Sequence, residues 1–480
     1  MLPRRFAFAS ATLGSIALLS AGTALLGQDH PNHKRGADAA TAYAYDQLDA
    51  VNLFNGNLTL NLPIGQEYPV GGLLSYALAL HYNSNAWEFE EGPGNQWGQP
   101  TTTAFPDPHS NAGMGWVLTL GRLHPPLSGR FNTSTSWLLV EPDGTRRQFA
   151  PTLHDGEAQV ANVFYTRDGS YLRLRKVGSS WEVDSPNGLV RTFDSTGQLT
   201  RIRDRMSALA SPPGTSNSLW VSYGANKWTL TDNSDYSTGG GRTHEIEFYP
   251  TSGDIPQRVK QVKLKTFGGA TSTYVFGYDV VAELPRHLDH NSEGLPGGEP
   301  ATIAAALLTS ITLPDGRSFA MQYFVANDYR PTDGIYNVSG VLSSLKLPTR
   351  GRYAWEYGPY VFNGALPPPG TWLLKNTGVR HKYVYDPIDG GDTLVGTWTY
   401  RHIPPLQGSP SLTDPLKEIR TAVTTPLGDV TVHYFTYDNG PSPVKWCTRV
   451  TDRHGVGFRL RLGVESSRLR GGLSRRGRAA

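Results

Sequence analysis

Apolar residues alternate with small or polar residues in a stretch that occurs twice in the chain. Residues 308–323 align without a gap with residues 342–357, so that Ile311 matches Leu345 and Met321 matches Trp355. Such alternation is typical of strands that turn one face toward a core. A Pro-Asp-Gly sequence divides the first copy and suits a tight turn, because Pro pre-sets a negative φ and Gly accepts a positive one. Each copy is therefore predicted to form a β-hairpin.

Weaker copies of the same strand, turn and strand pattern lie on both sides of this pair. Their turns begin at Pro142, Pro186 and Pro426. Repetition along most of the chain favours tandem hairpins over one compact enzyme domain, because such units bury their apolar faces only against neighbours. The predicted fold class is all-β, with tandem β-hairpin repeats forming one continuous curled sheet.

Other segments fit the same prediction, with two exceptions. An Asn55-Gly56 turn precedes alternating leucines at 58, 60 and 62, and residues 74–82 alternate again. Residues 83–112 lose this periodicity and gather Gly, Pro, Asn and Gln, which predicts a long loop. Residues 304–308 are compatible with a single helical turn. Further strands are predicted over residues 219–223, 228–232, 244–248, 259–264 and 274–278.

Composition supports an all-β chain and limits its chemistry. The 480 residues include 53 Gly, 35 Pro and 11% aromatic residues, which fits many short strands joined by tight turns. The only cysteine, Cys447, cannot form an internal disulfide and is interpreted as a buried or incidental thiol. The net charge of +3 is misleading, because residues 453–480 carry eight Arg and one Glu while residues 1–452 are mildly acidic. Nucleic acid is therefore not expected as a partner.

The N-terminus has the features of an export signal. Arg4 and Arg5 precede an uncharged apolar run, so residues 1–27 are predicted to be a signal peptide that is removed. The run is also long enough for an uncleaved membrane anchor, which is the alternative. Residues 28–42 are interpreted as a polar linker. Localisation is expected to be secreted or in the cell envelope, with no membrane contact after cleavage.

The order of several short motifs resembles the N-terminal region of secreted bacterial RHS/YD-repeat proteins. Residues 193–204 are similar to the tyrosine-aspartate core of that repeat, although Phe193 replaces Tyr and Gln198 replaces Arg. The other motifs are residues 52–58, 82–84, 113–116, 142–144 and 165–174. The resemblance implies a long β-ribbon that spirals into the wall of a hollow shell, which can enclose or present a C-terminal effector. The repeat body is placed at residues 43–452, as a partial shell of this type.

No catalytic, cofactor-binding or metal-binding residue is predicted. A calcium site at Asp232, Ser234, Asp235 and Glu245 lacks the spacing of a known loop, and no zinc motif occurs. Glu88, Glu90 and Glu91 beside Trp87 are the best carboxylates for glycoside hydrolysis, which needs only two, but a solvated acidic loop is favoured. Five tryptophans could stack on sugars, but their strand spacing favours a place in the core. These are Trp116, Trp181, Trp228, Trp355 and Trp398.

The preferred function is a secreted, non-enzymatic β-repeat scaffold without cofactors. The alternatives are a cell-surface carbohydrate-binding protein or glycoside hydrolase, and an adhesin or contact-delivery component. Expected partners are the missing C-terminal part of the shell or the surface of a neighbouring cell. Residues 453–480 use Arg without Lys and lack strand patterning, so we expect a disordered tail produced by a shifted reading frame. The alternative is a genuine basic tail.

Overall fold

The computed structural model contains strands and two short 3-10 turns in the part of the chain that it describes. That part comprises residues 43–45, 48–92, 101–126, 136–154, 156–208, 217–233, 241–287, 301–361, 375–388, 391–403, 417–437, 445–451 and 457–458. The predicted signal peptide and linker, and the tail apart from residues 457–458, lie outside it. The 3-10 turns are Arg205–Ala208 and Phe267–Gly269. The all-β prediction is confirmed.

The strands are numbered in chain order. They are β1 Tyr43–Tyr45, β2 Asp49–Asn52, β3 Leu58–Gly71, β4 Leu74–Asn83, β5 Trp87–Gly92, β6 Thr101–Pro106, β7 Trp116–Leu118, β8 Arg122–His124, β9 Leu138–Val140, β10 Arg146–Ala150, β11 Val163–Thr166, β12 Arg173–Val177, β13 Ser180–Asp184, β14 Val190–Phe193, β15 Leu199–Arg203, β16 Ser218–Tyr223, β17 Lys227–Asp232, β18 Thr243–Tyr249, β19 Arg258–Lys265, β20 Thr271–Pro285, β21 Thr302–Thr312, β22 Ser318–Tyr323, β23 Asp328–Arg330, β24 Ile335–Asn337, β25 Leu342–Lys346, β26 Arg352–Val361, β27 Lys375–Ile388, β28 Gly391–Ile403, β29 Lys417–Thr424, β30 Val430–Tyr437, β31 Lys445–Thr451 and β32 Gly457–Phe458.

The first strands form an antiparallel sheet in the order β1-β2-β3-β4-β7, here called the N-terminal sheet. On β3, Leu58, Leu60, Leu62 and Ile64 are buried, while Asn61 and Pro63 between them are exposed. One face of the sheet is therefore apolar and needs a cover, as the alternation predicts.

The remaining long sheet, here called the ladder, pairs its strands almost entirely in chain order. It runs from β8 to β22 and from β25 to β32, and every pair is antiparallel. Two hairpins, β5-β6 and β23-β24, stand apart as two-stranded sheets. Among the described strands, the last is not paired with the first. The ladder does curl back near its start, where Leu123 N donates to Gly197 O at 2.9 Å.

The two aligned copies fold with the same register. In β21-β22, Ile311 pairs with Phe319, and in β25-β26 the matching Leu345 pairs with Tyr353. Strand β22 then pairs with β25, which joins the two hairpins side by side. The prediction of tandem hairpins is confirmed at these positions.

One turn geometry serves all the predicted copies. In the turn of the first copy, Gly316 N donates to Leu313 O, and Leu313 N donates to Arg317 O. The same two backbone bonds recur in the turns after Glu141, Ser185, Asp194, Leu347 and Thr425. The fourth turn residue has positive φ each time, from 77° at Arg350 to 86° at Gly188. Gly is the residue that this conformation favours, which explains the Pro-x-Gly pattern.

Two sequence predictions are wrong. Residues 304–308 form no helical turn, because they lie inside β21 and pair with β20. The long loop predicted over residues 83–112 contains the β5-β6 hairpin, in which Trp87 pairs with Pro106. The strands are hard to recognise from sequence because alternation breaks at the adjacent Glu90 and Glu91 in β5 and at three consecutive Thr residues, 101–103, in β6. At the other end, β32 pairs with β31 beyond residue 452, where the repeat body was predicted to end.

Candidate functional site: the seam between the sheets

The apolar face of the N-terminal sheet is covered by the ladder, and we call this contact the seam. Its core includes the largest buried side chains of the described chain, among them Trp116, Trp355, Tyr68, Tyr82 and Tyr357. Phe54, in the turn after β2, packs edge-on against Phe435 of β30 with ring centroids 5.7 Å apart. Strands far apart in sequence therefore share one core.

Hydrogen bonds fix the register of the seam. Leu342 N donates to the hydroxyl of Tyr82 at 2.8 Å, and Trp116 Nε1 donates to the hydroxyl of Tyr323 at 2.7 Å. Backbone groups also meet directly, since Val379 N donates to Gly56 O at 2.7 Å. Because buried polar groups must find partners, these bonds favour one alignment of the two sheets over any slipped one.

A hydrogen bond from a tyrosine hydroxyl to a backbone carbonyl repeats within the ladder beside the seam. The hydroxyl of Tyr323 donates to Leu308 O at 2.8 Å, and the matching Tyr357 donates to Leu342 O at 2.8 Å. Burial raises the pKa of both phenols well above the usual value, so both remain protonated donors. The repeat therefore extends from sequence to register and to side-chain bonding.

An ion pair lies buried in the seam. Lys382 Nζ on β27 is 2.6 Å from Asp49 Oδ1 on β2, and the two side chains are only 4% and 3% exposed. Trp355 Nε1 donates to the second oxygen, Oδ2, at 3.3 Å. The ammonium also lies over the rings of Tyr353 and Trp398, at 5.1 and 5.3 Å from their centroids. Removing either charged group would take away the opposite charge that compensates the other in this buried place.

A second polar cluster lies where β3 and β4 meet β17 and β18. Asp232 Oδ2 accepts from the hydroxyl of Tyr76 at 2.7 Å and from Arg242 Nε at 2.9 Å. His244 is fully buried and packs on Tyr68, with centroids 4.5 Å apart. Burial lowers the pKa of His244 to about 4, so its ring is neutral at pH 7. A charged partner of Asp232 at the seam is Arg242.

The carboxylates singled out in the sequence do not form a site in the part described. Glu88 lies on β5 and is 7% exposed, which excludes the solvated loop expected for it. Glu90 and Glu91 are also on β5, but their side chains lie outside the described residues. Glu245 pairs with Lys227 at 3.0 Å on the ladder surface, and Ser234 and Asp235 lie outside the described residues.

The tryptophans are part of the core or its margin. Trp116 and Trp355 are buried to within 1% exposure, and Trp87 Nε1 donates to Ser339 O at 2.9 Å. Trp181, Trp228 and Trp398 are partly buried and pack on the core. Cys447 lies on β31, with its side chain outside the described residues. Sequence reasoning missed Asp49 and Lys382, and neither has a local signal because only the fold joins them.

A concavity of about 520 Å³ opens on the ladder beside the turn between β16 and β17. Lys227, Glu247 and Lys260 line it, together with the backbone of that turn. Glu247 is bound to Lys263 Nζ at 2.5 Å, a hydrogen bond that lowers the pKa of its carboxyl. These charges pair along the surface and do not converge on one point.

Neither the described structure nor a comparison with known proteins points to a specific activity. Among the described residues, no group of three His, Cys, Asp or Glu is placed to hold a metal, and no helix there is long and apolar enough to cross a membrane. The chain matches no protein-family model and no curated protein sequence.

Proposed function

We propose that the chain is a secreted, non-enzymatic β-repeat scaffold of the RHS/YD type, acting as the front part of a shell wall. The observation that carries this proposal is the repetition in β21-β22 and β25-β26. Register, turn bonds and the tyrosine hydrogen bond recur there, whereas no Asp, Glu, His or Cys occupies the same position in both copies. A structural wall requires a backbone arrangement that repeats, and it does not require catalytic residues.

The seam supports the same function. The N-terminal sheet contacts widely separated parts of the ladder, including Asp232 of β17 and Phe435 of β30. A ladder of hairpins alone would bury its strands only against sequential neighbours. The N-terminal sheet therefore acts as a support that fixes the curvature of the wall. Its partner is the polypeptide that continues the wall, or the surface of a neighbouring cell.

Activity and partner assays together test this proposal. The purified chain, incubated with a panel of polysaccharides and a glycan array, is expected to release no sugar and to bind no glycan. Cross-linking of the secreted protein in its native culture, read by mass spectrometry, is expected to join the ladder to another polypeptide. Hydrolysis that disappears in a folded Glu88→Gln variant would make the chain a glycoside hydrolase instead. Saturable glycan binding, or a solitary chain without cross-links, would also refute the scaffold.

A further inference from the structure

Asp49 and Lys382 combine three features that are rarely found together. Their side chains are 333 residues apart in sequence, almost fully buried, and in direct contact at 2.6 Å. Adding a carbon–oxygen bond of about 1.2 Å places Lys382 Nζ within about 3.8 Å of Asp49 Cγ. The Lys382 nitrogen is thus held against a carboxyl carbon, and both side chains are almost fully shielded from water.

We propose that this pair condenses into an intramolecular isopeptide bond between Lys382 Nζ and Asp49 Cγ. A proton first passes from Nζ to Oδ1 along their hydrogen bond, which gives an amine and a carboxylic acid. The nitrogen lone pair attacks Cγ, the Cγ–Oδ1 bond breaks, and Oδ1 leaves with two protons as water. One proton remains on the amide nitrogen, so atoms and charge balance without an oxidant, reductant or further reactant.

The surroundings favour this step. Trp355 Nε1 donates to Oδ2, the oxygen that carries negative charge after the attack and remains as the amide oxygen. The rings of Tyr353 and Trp398 hold the Lys382 ammonium beside Asp49 before the proton passes, which gives the two groups the high effective concentration of an intramolecular reaction.

The bond would tie the second strand of the N-terminal sheet to β27 of the ladder. It would enclose residues 49–382 in a covalent ring that passes through the seam. This inference does not depend on the proposed function, because it concerns how the two sheets are joined.

Mass spectrometry of the full chain tests it. The intact mass is expected to be lower than the sequence mass, corrected for any terminal processing, by one water molecule. Tryptic digestion should yield a branched peptide that joins the segments around Asp49 and Lys382. Lys263 and Glu247 are an internal control, because they are 2.5 Å apart but partly exposed on the ladder surface, and their peptides should stay separate.

Variants separate the chemistry from the fold. Lys382→Arg keeps the charge and should abolish the mass loss, while Asp49→Asn should lose ammonia instead of water. The wild-type measurement decides even where a variant fails to fold. A folded wild-type chain with its full mass and no branched peptide would overturn the proposal, as would a loss of water that persists in Lys382→Arg.

Discussion

The hydroxyl of Tyr357 donates a 2.8 Å hydrogen bond to the backbone carbonyl of Leu342, fifteen residues earlier in the chain. Tyr357 is on β26 and Leu342 on β25, so the bond fastens the two strands of one hairpin. In the preceding hairpin Tyr323 and Leu308 are related in the same way, at the same distance. The same bond thus fastens both hairpins of the aligned pair.

The Tyr357→Phe variant tests how much this hydrogen bond contributes to the free energy of unfolding. The substitution removes only the hydroxyl, so we expect a loss of about 1 kcal/mol in the free energy of unfolding, measured with denaturant. Tyr329→Phe is the matched control, because Tyr329 is 60% exposed, and it should change little. Equal stability of the Tyr357 variant and the wild type would contradict a role for the bond.

Arg350→Gly is expected to stabilise the protein. Arg350 takes a φ of 77° at the turn position that Gly316 occupies in the matching hairpin. Relief of this strain by about 1 to 2 kcal/mol, less the larger entropy of Gly in the unfolded chain, predicts a net gain of about 0.5 to 1 kcal/mol. Arg350→Ala keeps the strained backbone and should show no gain. A gain of equal size in Ala would assign the effect to the side chain.

Two glycines in Pro-Asp-Gly turns should respond differently to alanine. Gly144 and Gly316 have φ of 78° and 83°, so both substitutions strain the backbone. A Cβ at Gly316 meets nothing, whereas one at Gly144 overlaps the buried ring of His81. We expect Gly144→Ala to cost about 2 kcal/mol more than Gly316→Ala in denaturant unfolding, since overpacking is added. Similar costs would show that the His81 ring can move aside.

Stability should fall in mild acid because of His81. Burial lowers its pKa from 6.5 to about 4, although the nearby Asp143 opposes the shift. Between these values the unfolded chain binds a proton that the folded chain does not, so stability decreases as the pH falls from about 6.5 to 4 and then levels off. The expected contribution is about 3 kcal/mol.

Unfolding free energies of wild type and His81→Gln, measured from pH 7.5 to 4, test this dependence. The variant should show a flatter profile. His154→Gln, at an exposed position, should retain the wild-type slope. Parallel profiles for wild type and His81→Gln would contradict the assignment.

The hairpins could be predicted from sequence because their signals are local. Alternation at Leu58, Leu60 and Leu62 and the turn at Pro314 act over a few residues. The seam could not be predicted in this way. Alternation shows that Tyr82 is buried, but not that it meets Leu342. The ion pair of Asp49 and Lys382 is hidden for the same reason, since two charged residues in strands are ordinarily read as exposed.

The seam joins segments that are synthesised at very different times. Tyr82 leaves the ribosome 260 residues before Leu342, which corresponds to roughly 13 to 52 s at about 5–20 residues per second. During that delay the apolar face of β3 and β4 has no cover from the strands that follow Leu342. Nascent chains halted before that residue should therefore recruit chaperones or proteases, whereas chains that have passed it can shield the same face themselves.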